Sequence, residues 1–173
     1  MKMKHLDCSS GRSDLGEEYP HSDQIQIVLL LLFIAGWVMD SIAKFSTHLA
    51  DSVPLPLRLL MAGVLMACGL LLISRSHRLV LDDVRDEPVL VDSGVYSLVR
   101  HPMYLGILLV YLGLLSSTLS IVSLCLWMGI SLMYDRMATH EERDLIRIFG
   151  SDYVDYRRRV PKWIPTKFSN KTR

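Results

Sequence analysis

The chain is organised around residues 94–106, which read GVYSLVRHPMYLG. They place two tyrosines, an arginine and a histidine directly before a long apolar segment. Proline disfavours helical backbone at the residue before it and fits the first turn of a helix that follows. Pro102 therefore predicts a helix that begins here, with His101 just outside it. The free amides and the positive dipole end of that helix would lie beside the polar cluster.

Composition indicates a membrane protein with one domain. The chain has 173 residues, 50% of them hydrophobic, and a mean hydropathy of +0.29. The apolar residues come in blocks, which is typical of membrane spans. The net charge of +1 gives no reason to expect a nucleic-acid partner. Cys8, Cys68 and Cys125 show neither CxxC nor Cys/His ligand spacing, so we expect neither a disulfide nor a metal site.

A polar tail at residues 1–23 precedes an integral-membrane domain at residues 24–173. The apolar blocks predict four membrane-spanning helices, at about residues 25–43, 57–74, 103–115 and 119–137. The last two form a helical hairpin, because polar residues between 116 and 120 interrupt one long apolar run. Each arm of the hairpin is near the short limit for a hydrocarbon core of about 30 Å. Glycines are available for close helix packing at Gly63, Gly69, Gly106, Gly113 and Gly129.

The charged C-terminal part predicts an amphipathic helix on the membrane surface. Residues 140–149 carry apolar side chains at 145, 146, 148 and 149, and the pattern ends at Gly150. A glycine is a common helix stop. Two tyrosines, three arginines and Trp163 follow, which suits the headgroup level of a membrane. The predicted fold is therefore all-α and multi-pass, with about four transmembrane helices, a C-terminal hairpin and an amphipathic cytoplasmic tail helix.

The distribution of basic residues predicts the orientation. Segments 1–24, 74–101 and 135–173 hold 17 of the 19 lysines and arginines, and the hairpin tip holds none. Cytoplasmic loops of membrane proteins carry an excess of Lys and Arg. Four spans with both termini in the cytoplasm satisfy this rule. The stretch 94–106 and the acidic pair Glu141-Glu142 then lie on the same cytoplasmic face.

Eight polar residues are expected to converge where the two ends of the hairpin meet. Ionisable groups at a membrane mouth are costly to bury and are therefore functional candidates, although interfacial snorkelling is the competing interpretation. The HExxH, GxSxG, GxGxxG and Walker patterns are absent from the sequence, which argues against the corresponding metal, nucleophile and nucleotide sites. The cluster consists of Tyr96, Arg100, His101, Tyr104, Arg136, His140, Glu141 and Glu142.

A set of motifs carries a family resemblance. Over about residues 80–165, five features follow one another in the order RHPxYxG, a hydrophobic hairpin, EE, FGxxYxxY and VPxxxP. This combination resembles the isoprenylcysteine carboxyl methyltransferase family and its phospholipid methyltransferase relatives. The resemblance implies an integral-membrane methyltransferase that uses S-adenosylmethionine without a Rossmann domain. It also implies a lipophilic or membrane-delivered methyl acceptor, most like the carboxylate of an isoprenylcysteine.

The resemblance also implies roles for particular residues. An acidic residue is expected to contact the cofactor: counting back from FG favours Glu141, whereas counting forward from RHP favours Glu142. An arginine implicated in substrate contact falls near Met137, and its nearest equivalent is Arg136. The catalytic candidates are thus Arg136, Glu141 and Glu142. The cofactor-binding candidates are Pro88, Val89, Leu90, Val91, Tyr96, His101, Pro102, Met103, Tyr104 and Glu141.

Other interpretations stay open at this point. A carboxylate acceptor is already ionised at pH 7 and needs no general base. A phospholipid amine or thiol acceptor would need one, and His101, Glu141 or Glu142 are the candidates. A membrane reductase that uses NADPH is a second enzymatic hypothesis. A non-enzymatic adaptor, whose arginine-rich tail binds anionic membrane lipids, is the third.

Overall fold

The computed structural model describes residues 22–82 and 90–164, and every regular element in this part of the chain is helical. The predicted all-α class is confirmed. The predicted polar tail lies almost wholly outside the described residues. Short 3₁₀ turns at His48–Ser52 and Gly94–Ser97 connect the helices. The helices are α1 (Ser22–Ala43), α2 (Leu55–Asp82), α3 (Pro102–Thr118), α4 (Ile121–Phe149) and α5 (Ser151–Arg159).

Three segments are long and apolar enough to cross a membrane, namely Asp23–Ala43, Leu55–Leu79 and Ile121–Phe149. The fourth apolar helix, α3, has 17 residues and is therefore about 25 Å long, somewhat short of a hydrocarbon core. Large apolar side chains on α1 and α2 are exposed, for example Met39 at 71% and Leu60 at 64%. A soluble protein does not tolerate such surfaces. The chain is an integral membrane protein.

The predicted hairpin is formed by α3 and α4, but its turn lies later than expected. Ser116 and Ser117 remain inside α3, where their hydroxyls donate to the carbonyls of Leu112 (2.7 Å) and Leu114 (2.6 Å). Serine can satisfy its hydroxyl within a helix in this way, so it need not end one. The chain turns at Leu119, which has a left-handed backbone with φ of 48°. Ser120 then caps α4 by accepting from the amide of Ser123 at 3.0 Å.

Helix α4 continues past its predicted end at residue 137 and reaches Phe149. The segment at 140–149, which the sequence predicts as a separate tail helix, is the last part of α4. The change from apolar to charged residues near 135 is therefore a change in the polarity of α4 and does not end the helix. Gly150 ends α4, as the sequence predicts, with φ of 55°.

Glycines hold α2 and α3 together as an antiparallel pair. A Cβ on Gly69 would lie 2.6 Å from the carbonyl oxygen of Gly106, and a Cβ on Gly113 would lie 3.0 Å from that of Ala62. Only glycine permits helix backbones to approach this closely. Gly63 and Gly129 have nothing within 4 Å of the corresponding position, so these two do not serve this contact. The pairing fixes the N-terminal end of α3, where the polar cluster lies.

Buried side chains join α1, α3 and α4 on the other side of α3. The indole of Trp37 donates to the carbonyl of Leu114 at 2.9 Å, and Phe33 packs against Tyr111 with ring centroids 4.7 Å apart. At the far end of the bundle, buried Asp40 accepts from the amide and the hydroxyl of Ser46, at 2.9 and 2.6 Å. The hydroxyl of Ser46 also lies 3.3 Å from that of Ser120, which joins the loop after α1 to the start of α4 at the end opposite to the polar cluster.

Candidate active site

The site is built where the start of α3 lies beside the second half of α4. His101 immediately precedes α3 and Pro102 is its first residue, as the sequence predicts. Since α3 and α4 are antiparallel, the residues around 101 come next to the acidic pair at 141 and 142. A short loop before α3 and the segment after α5 complete the surroundings.

Glu141 lies at the edge of the cluster. The hydroxyl of Tyr104 donates to Oε1 of Glu141, and Nδ1 of His101 lies 3.7 Å from Oε2. One third of the Glu141 side chain (33%) remains exposed. The carboxylate is thus held by the protein on one side and accessible on the other.

Glu142 lies deep in the cluster, with 5% of its side chain exposed. Its Oε1 accepts from Nε2 of His101 at 3.2 Å and lies 3.3 Å from Nη2 of Arg100. Its Oε2 lies 3.7 Å from Nε of Arg157, on α5. A buried carboxylate needs such partners, because an unpaired buried charge is strongly destabilising.

His101 connects the two carboxylates through its two ring nitrogens. A neutral imidazole carries one N–H and can donate to one carboxylate, whereas an imidazolium can donate to both. The ring stacks on Tyr104 with centroids 5.9 Å apart and planes 7° from parallel. Tyr134 in turn meets Tyr104 edge-on at 5.1 Å. The charged side chains at the opening of the site, which we call its mouth, therefore lie next to the rings of Tyr104 and Tyr134, which we call the aromatic floor.

The segment after α5 covers the cluster. Nζ of Lys162 donates to Oδ1 of Asp135 at 2.5 Å and to the hydroxyl of Thr139 at 2.7 Å. The indole of Trp163 donates to the same Asp135 oxygen at 2.8 Å, and its ring lies 6.0 Å from that of His101. The amide of Arg100 donates to the carbonyl of Pro161 at 3.0 Å, which fixes this cover to the loop before α3.

Three tyrosines from two segments, the loop before α3 and α5, lie beside the cluster. The hydroxyl of Tyr156 donates to the carbonyl of Tyr96 at 2.7 Å. Burial raises the pKa of the Tyr96 hydroxyl, and the negative charge of Glu141 raises it further. Burial also raises the pKa values of Tyr153 and Tyr156. All three phenols are therefore neutral at physiological pH and present no charge to a ligand.

The structure brings together most of the residues that the sequence selects. Tyr96, His101, Tyr104, Glu141 and Glu142 lie in the cluster, and Pro102 is buried at its edge. His140 pairs instead with Asp144, at 3.7 Å. Leu90 packs against the tyrosines of α5. Val91 is half-buried and Met103 is 39% exposed; Pro88 and Val89 lie outside the described residues.

Arg136 lies apart from the cluster. Its side chain is exposed, and it is turned about 140° around α4 from Glu141, since each helical residue advances by about 100°. The predicted contact of Arg136 with substrate stays a prediction. Among the described residues, the cluster or its cover is also contacted by the charged side chains of Arg100, Asp135, Arg157 and Lys162.

Sequence reasoning missed Asp135 and Lys162. Their contact joins residues 27 apart in the sequence, which local patterns do not predict. One available signal was the position of Asp135 as the first carboxylate after the long uncharged run 103–134.

An apolar cleft adjoins the aromatic floor. It has a volume of about 270 Å³ and lies between α1, α2 and α3. Tyr134, which contacts Tyr104 of the cluster, forms part of its wall. The remaining wall includes Leu30, Leu70, Ile107, Val110 and Tyr111. The position suits an apolar chain that enters from the membrane.

Comparisons with known proteins agree with this architecture. The family model for phospholipid methyltransferase matches residues 55–152, from α2 to the start of α5. A protein-S-isoprenylcysteine O-methyltransferase of Dictyostelium discoideum is 31% identical over 171 residues, which cover 94% of this chain and 68% of that protein. Methanethiol S-methyltransferase 2 of Bradyrhizobium diazoefficiens is 37% identical over 81 residues, 44% of this chain and 29% of that protein.

A solved structure has the same fold. It is that of a eukaryotic intramembrane Ras methyltransferase, isoprenylcysteine carboxyl methyltransferase, with a TM-score of 0.60 at 20% identity. The match covers 84% of this chain and 53% of that protein, so the present chain spans about half of its length. The family model and the Dictyostelium relative confirm the resemblance seen in the sequence motifs, and the reductase interpretation is not favoured. The chain belongs to the phospholipid methyltransferase family, together with the isoprenylcysteine O-methyltransferases.

Proposed function

We propose that the chain transfers a methyl group from S-adenosylmethionine to the carboxylate of an S-isoprenylated cysteine. The observation that carries this proposal is the position of Glu141: its partly exposed carboxylate accepts a hydrogen bond from Tyr104, whose ring contacts Tyr134 in the wall of the apolar cleft. The names of the relatives support the reaction class. The cleft supports a lipophilic acceptor.

The residues present fit the cofactor. S-adenosylmethionine supplies a methyl group on a cationic sulfonium and also carries an ammonium and a carboxylate. Glu141 offers negative charge, and the faces of Tyr104 and Trp163 can stabilise a nearby cation. The first turn of α3 offers backbone amides and the positive dipole end to an anion. Charge complementarity on both sides therefore favours this molecule.

The loop before α3 supplies further candidate contacts. Tyr96 is a neutral, half-buried phenol whose pKa is raised by burial and by the negative charge of Glu141, and Leu90 packs against the cluster of Tyr153, Tyr156 and Val160. The contacts expected of Val91 and Met103, and of Pro88 and Val89, stay predictions. We assign Glu141, Tyr96, His101 and Tyr104 to the cofactor side of the site.

The acceptor would reach the cluster through the apolar cleft. A carboxylate nucleophile is ionised at pH 7, so the protein needs to orient it and exclude water rather than remove a proton. The cover made by Lys162 and Trp163 shields the His101 side of the cluster from water. Tyr134 connects the cleft with the cluster, which suits an acceptor whose isoprenoid chain lies in the cleft while its carboxylate reaches the cofactor beside Tyr104.

The proposed orientation puts both termini and the cluster in the cytoplasm. Basic residues are concentrated in the segments that flank the cluster and are sparse at the far end of the bundle, in agreement with the positive-inside rule. In this orientation, a soluble cofactor enters from the cytoplasm and a lipophilic acceptor from the bilayer.

Calorimetric titration of the detergent-purified protein with S-adenosylmethionine tests the proposal. We expect binding in the micromolar range that Glu141→Gln weakens at least tenfold. The matched control is Asp51→Asn, which removes an exposed carboxylate at the opposite end of the bundle and should leave the affinity unchanged. A folded wild-type protein that does not bind S-adenosylmethionine would overturn the proposal, and NADPH would then be titrated.

A further inference from the structure

The two adjacent glutamates differ in burial and in the charge that surrounds them. Glu142 faces Arg100 and Arg157 at 3.3 and 3.7 Å, together with His101 at 3.2 Å. Glu141 contacts the phenol of Tyr104 and the other nitrogen of His101, and one third of its side chain is exposed. Glu142 is therefore compensated by two guanidinium groups and closed off from solvent, whereas Glu141 remains accessible.

The partners of Glu142 come from separate parts of the chain. Arg100 and His101 belong to the loop before α3, while Arg157 belongs to α5. Glu142 itself is on α4, so this one carboxylate joins three segments that surround the mouth of the site. The side chains of Arg100 and Glu142 are 9% and 5% exposed, which means that the pair lies in a region of low dielectric.

We propose that Glu142 is a positioning residue that holds α5 and the loop before α3 in place, and that Glu141 is the member of this pair that contacts the cofactor. The assignment of Glu141 rests on the proposed function, whereas that of Glu142 does not. A cationic ligand brought to Glu142 would meet two arginines and be repelled. The same ligand brought to Glu141 meets a carboxylate that is open to the mouth of the site.

Because Arg100 pairs with Glu142, a second substitution at Arg100 can test whether the loss caused by Glu142→Gln is reversed. Removing one member of a buried ion pair leaves the other uncompensated, whereas replacing both members by neutral groups of similar volume is often tolerated. Glu142→Gln leaves the buried Arg100 unpaired. Adding Arg100→Met removes that unpaired charge. If Glu142 bound the cofactor directly, this second substitution would not restore the affinity.

Two readouts are measured on Glu141→Gln, Glu142→Gln, Arg100→Met and the double variant Glu142→Gln/Arg100→Met. The first is the Kd for S-adenosylmethionine. The second is amide hydrogen exchange in peptides covering residues 151–159, which reports the docking of α5. We expect Glu141→Gln to weaken binding at least tenfold with unchanged exchange. We expect Glu142→Gln to accelerate exchange and weaken binding, and the double variant to recover at least half of both effects on a logarithmic scale.

The proposal would be overturned if the losses in affinity were additive in the double variant. It would also be overturned if Glu142→Gln weakened binding while the hydrogen exchange of α5 stayed unchanged. Either result would make Glu142 a cofactor contact. If Glu142→Gln does not fold, the double variant decides alone: near wild-type affinity supports the positioning role, and weak affinity in a folded protein refutes it. If the wild-type protein does not bind S-adenosylmethionine, the proposed function fails. Hydrogen exchange then still tests whether Glu142 holds α5.

Discussion

Replacing Gly106 by alanine should separate α2 from α3 and thereby disturb the site. The new Cβ would lie 2.7 Å from the carbonyl oxygen of Gly69 and 3.2 Å from the amide nitrogen of Ile73. Both are backbone atoms, so no side-chain rotation relieves the contact. Ordinary contact begins near 3.4 Å, and the helices must therefore move apart by about 0.7 Å. The movement occurs four residues from Pro102, where α3 enters the cluster.

The matched control is Gly129→Ala, on α4, where nothing lies within 4 Å of the new Cβ. Both substitutions gain the same helix propensity, about 1 kcal/mol. Their difference in stability therefore isolates the packing conflict, which is about 1–3 kcal/mol for an overpacked core. For a chain of this size, we expect Gly106→Ala to melt roughly 2–12 °C below Gly129→Ala.

Tryptophan fluorescence during thermal unfolding in one detergent measures the difference, and a methyl-transfer assay measures its effect on the site. A misplacement approaching 1 Å can cost about a hundredfold in rate, so we expect a loss of at least tenfold in kcat/KM for Gly106→Ala. Equal melting temperatures and equal activities in the two variants would refute the close α2–α3 contact.

Three further substitutions test other parts of the structure. Asp135→Ala removes the acceptor of two of the side-chain contacts that hold the C-terminal cover, and should raise the Kd for S-adenosylmethionine several-fold in calorimetry while the fold persists. An unchanged Kd would mean that the cover is not part of the site. Burial raises the pKa of the Tyr153 hydroxyl, so this tyrosine ionises at lower pH in the unfolded chain, and the stability of the fold decreases above about pH 10. Tyr153→Phe should make this alkaline loss of stability smaller in thermal melts. An identical dependence of the melting temperature on pH would contradict the assignment. Leu30→Trp should fill part of the cleft and raise the KM of a farnesylated acceptor without changing cofactor affinity. The control is Leu31→Trp, at a position that is 63% exposed on the same helix, which should leave this KM unchanged. Equal KM values in the two variants would exclude the cleft as the acceptor path.

The sequence predicted the parts of the fold that depend on local composition. Apolar blocks are the direct signature of membrane spans, and Pro102 and Gly150 have backbone preferences that mark helix ends wherever they occur. The end of α4 was harder to predict. Hydropathy falls near residue 135, but the charged residues that follow are good helix formers, so the helix continues to Phe149.

The arrangement within the site depends on rotation about a helix and on distant contacts. Neighbouring positions on α4 differ by about 100°, so a shift of one residue in a motif alignment exchanges Glu141 with Glu142, or Arg136 with Met137. The structure separates these pairs by burial: Met137 is 0% exposed, whereas Arg136 is exposed. The contact of Lys162 with Asp135 joins two segments across a turn, and no local pattern specifies it.

The most direct test of the proposed reaction uses S-adenosylmethionine labelled in its methyl group, together with an N-acetylated S-farnesylcysteine as acceptor. The purified protein should transfer the label to the acceptor as a methyl ester, which mild base releases as methanol, and Glu141→Gln should abolish the transfer. Cysteine without the farnesyl group should be a poor acceptor. Label that resists base would indicate transfer to a group other than the carboxylate, and no transfer by a protein that binds the cofactor would contradict the assignment of an isoprenylcysteine acceptor.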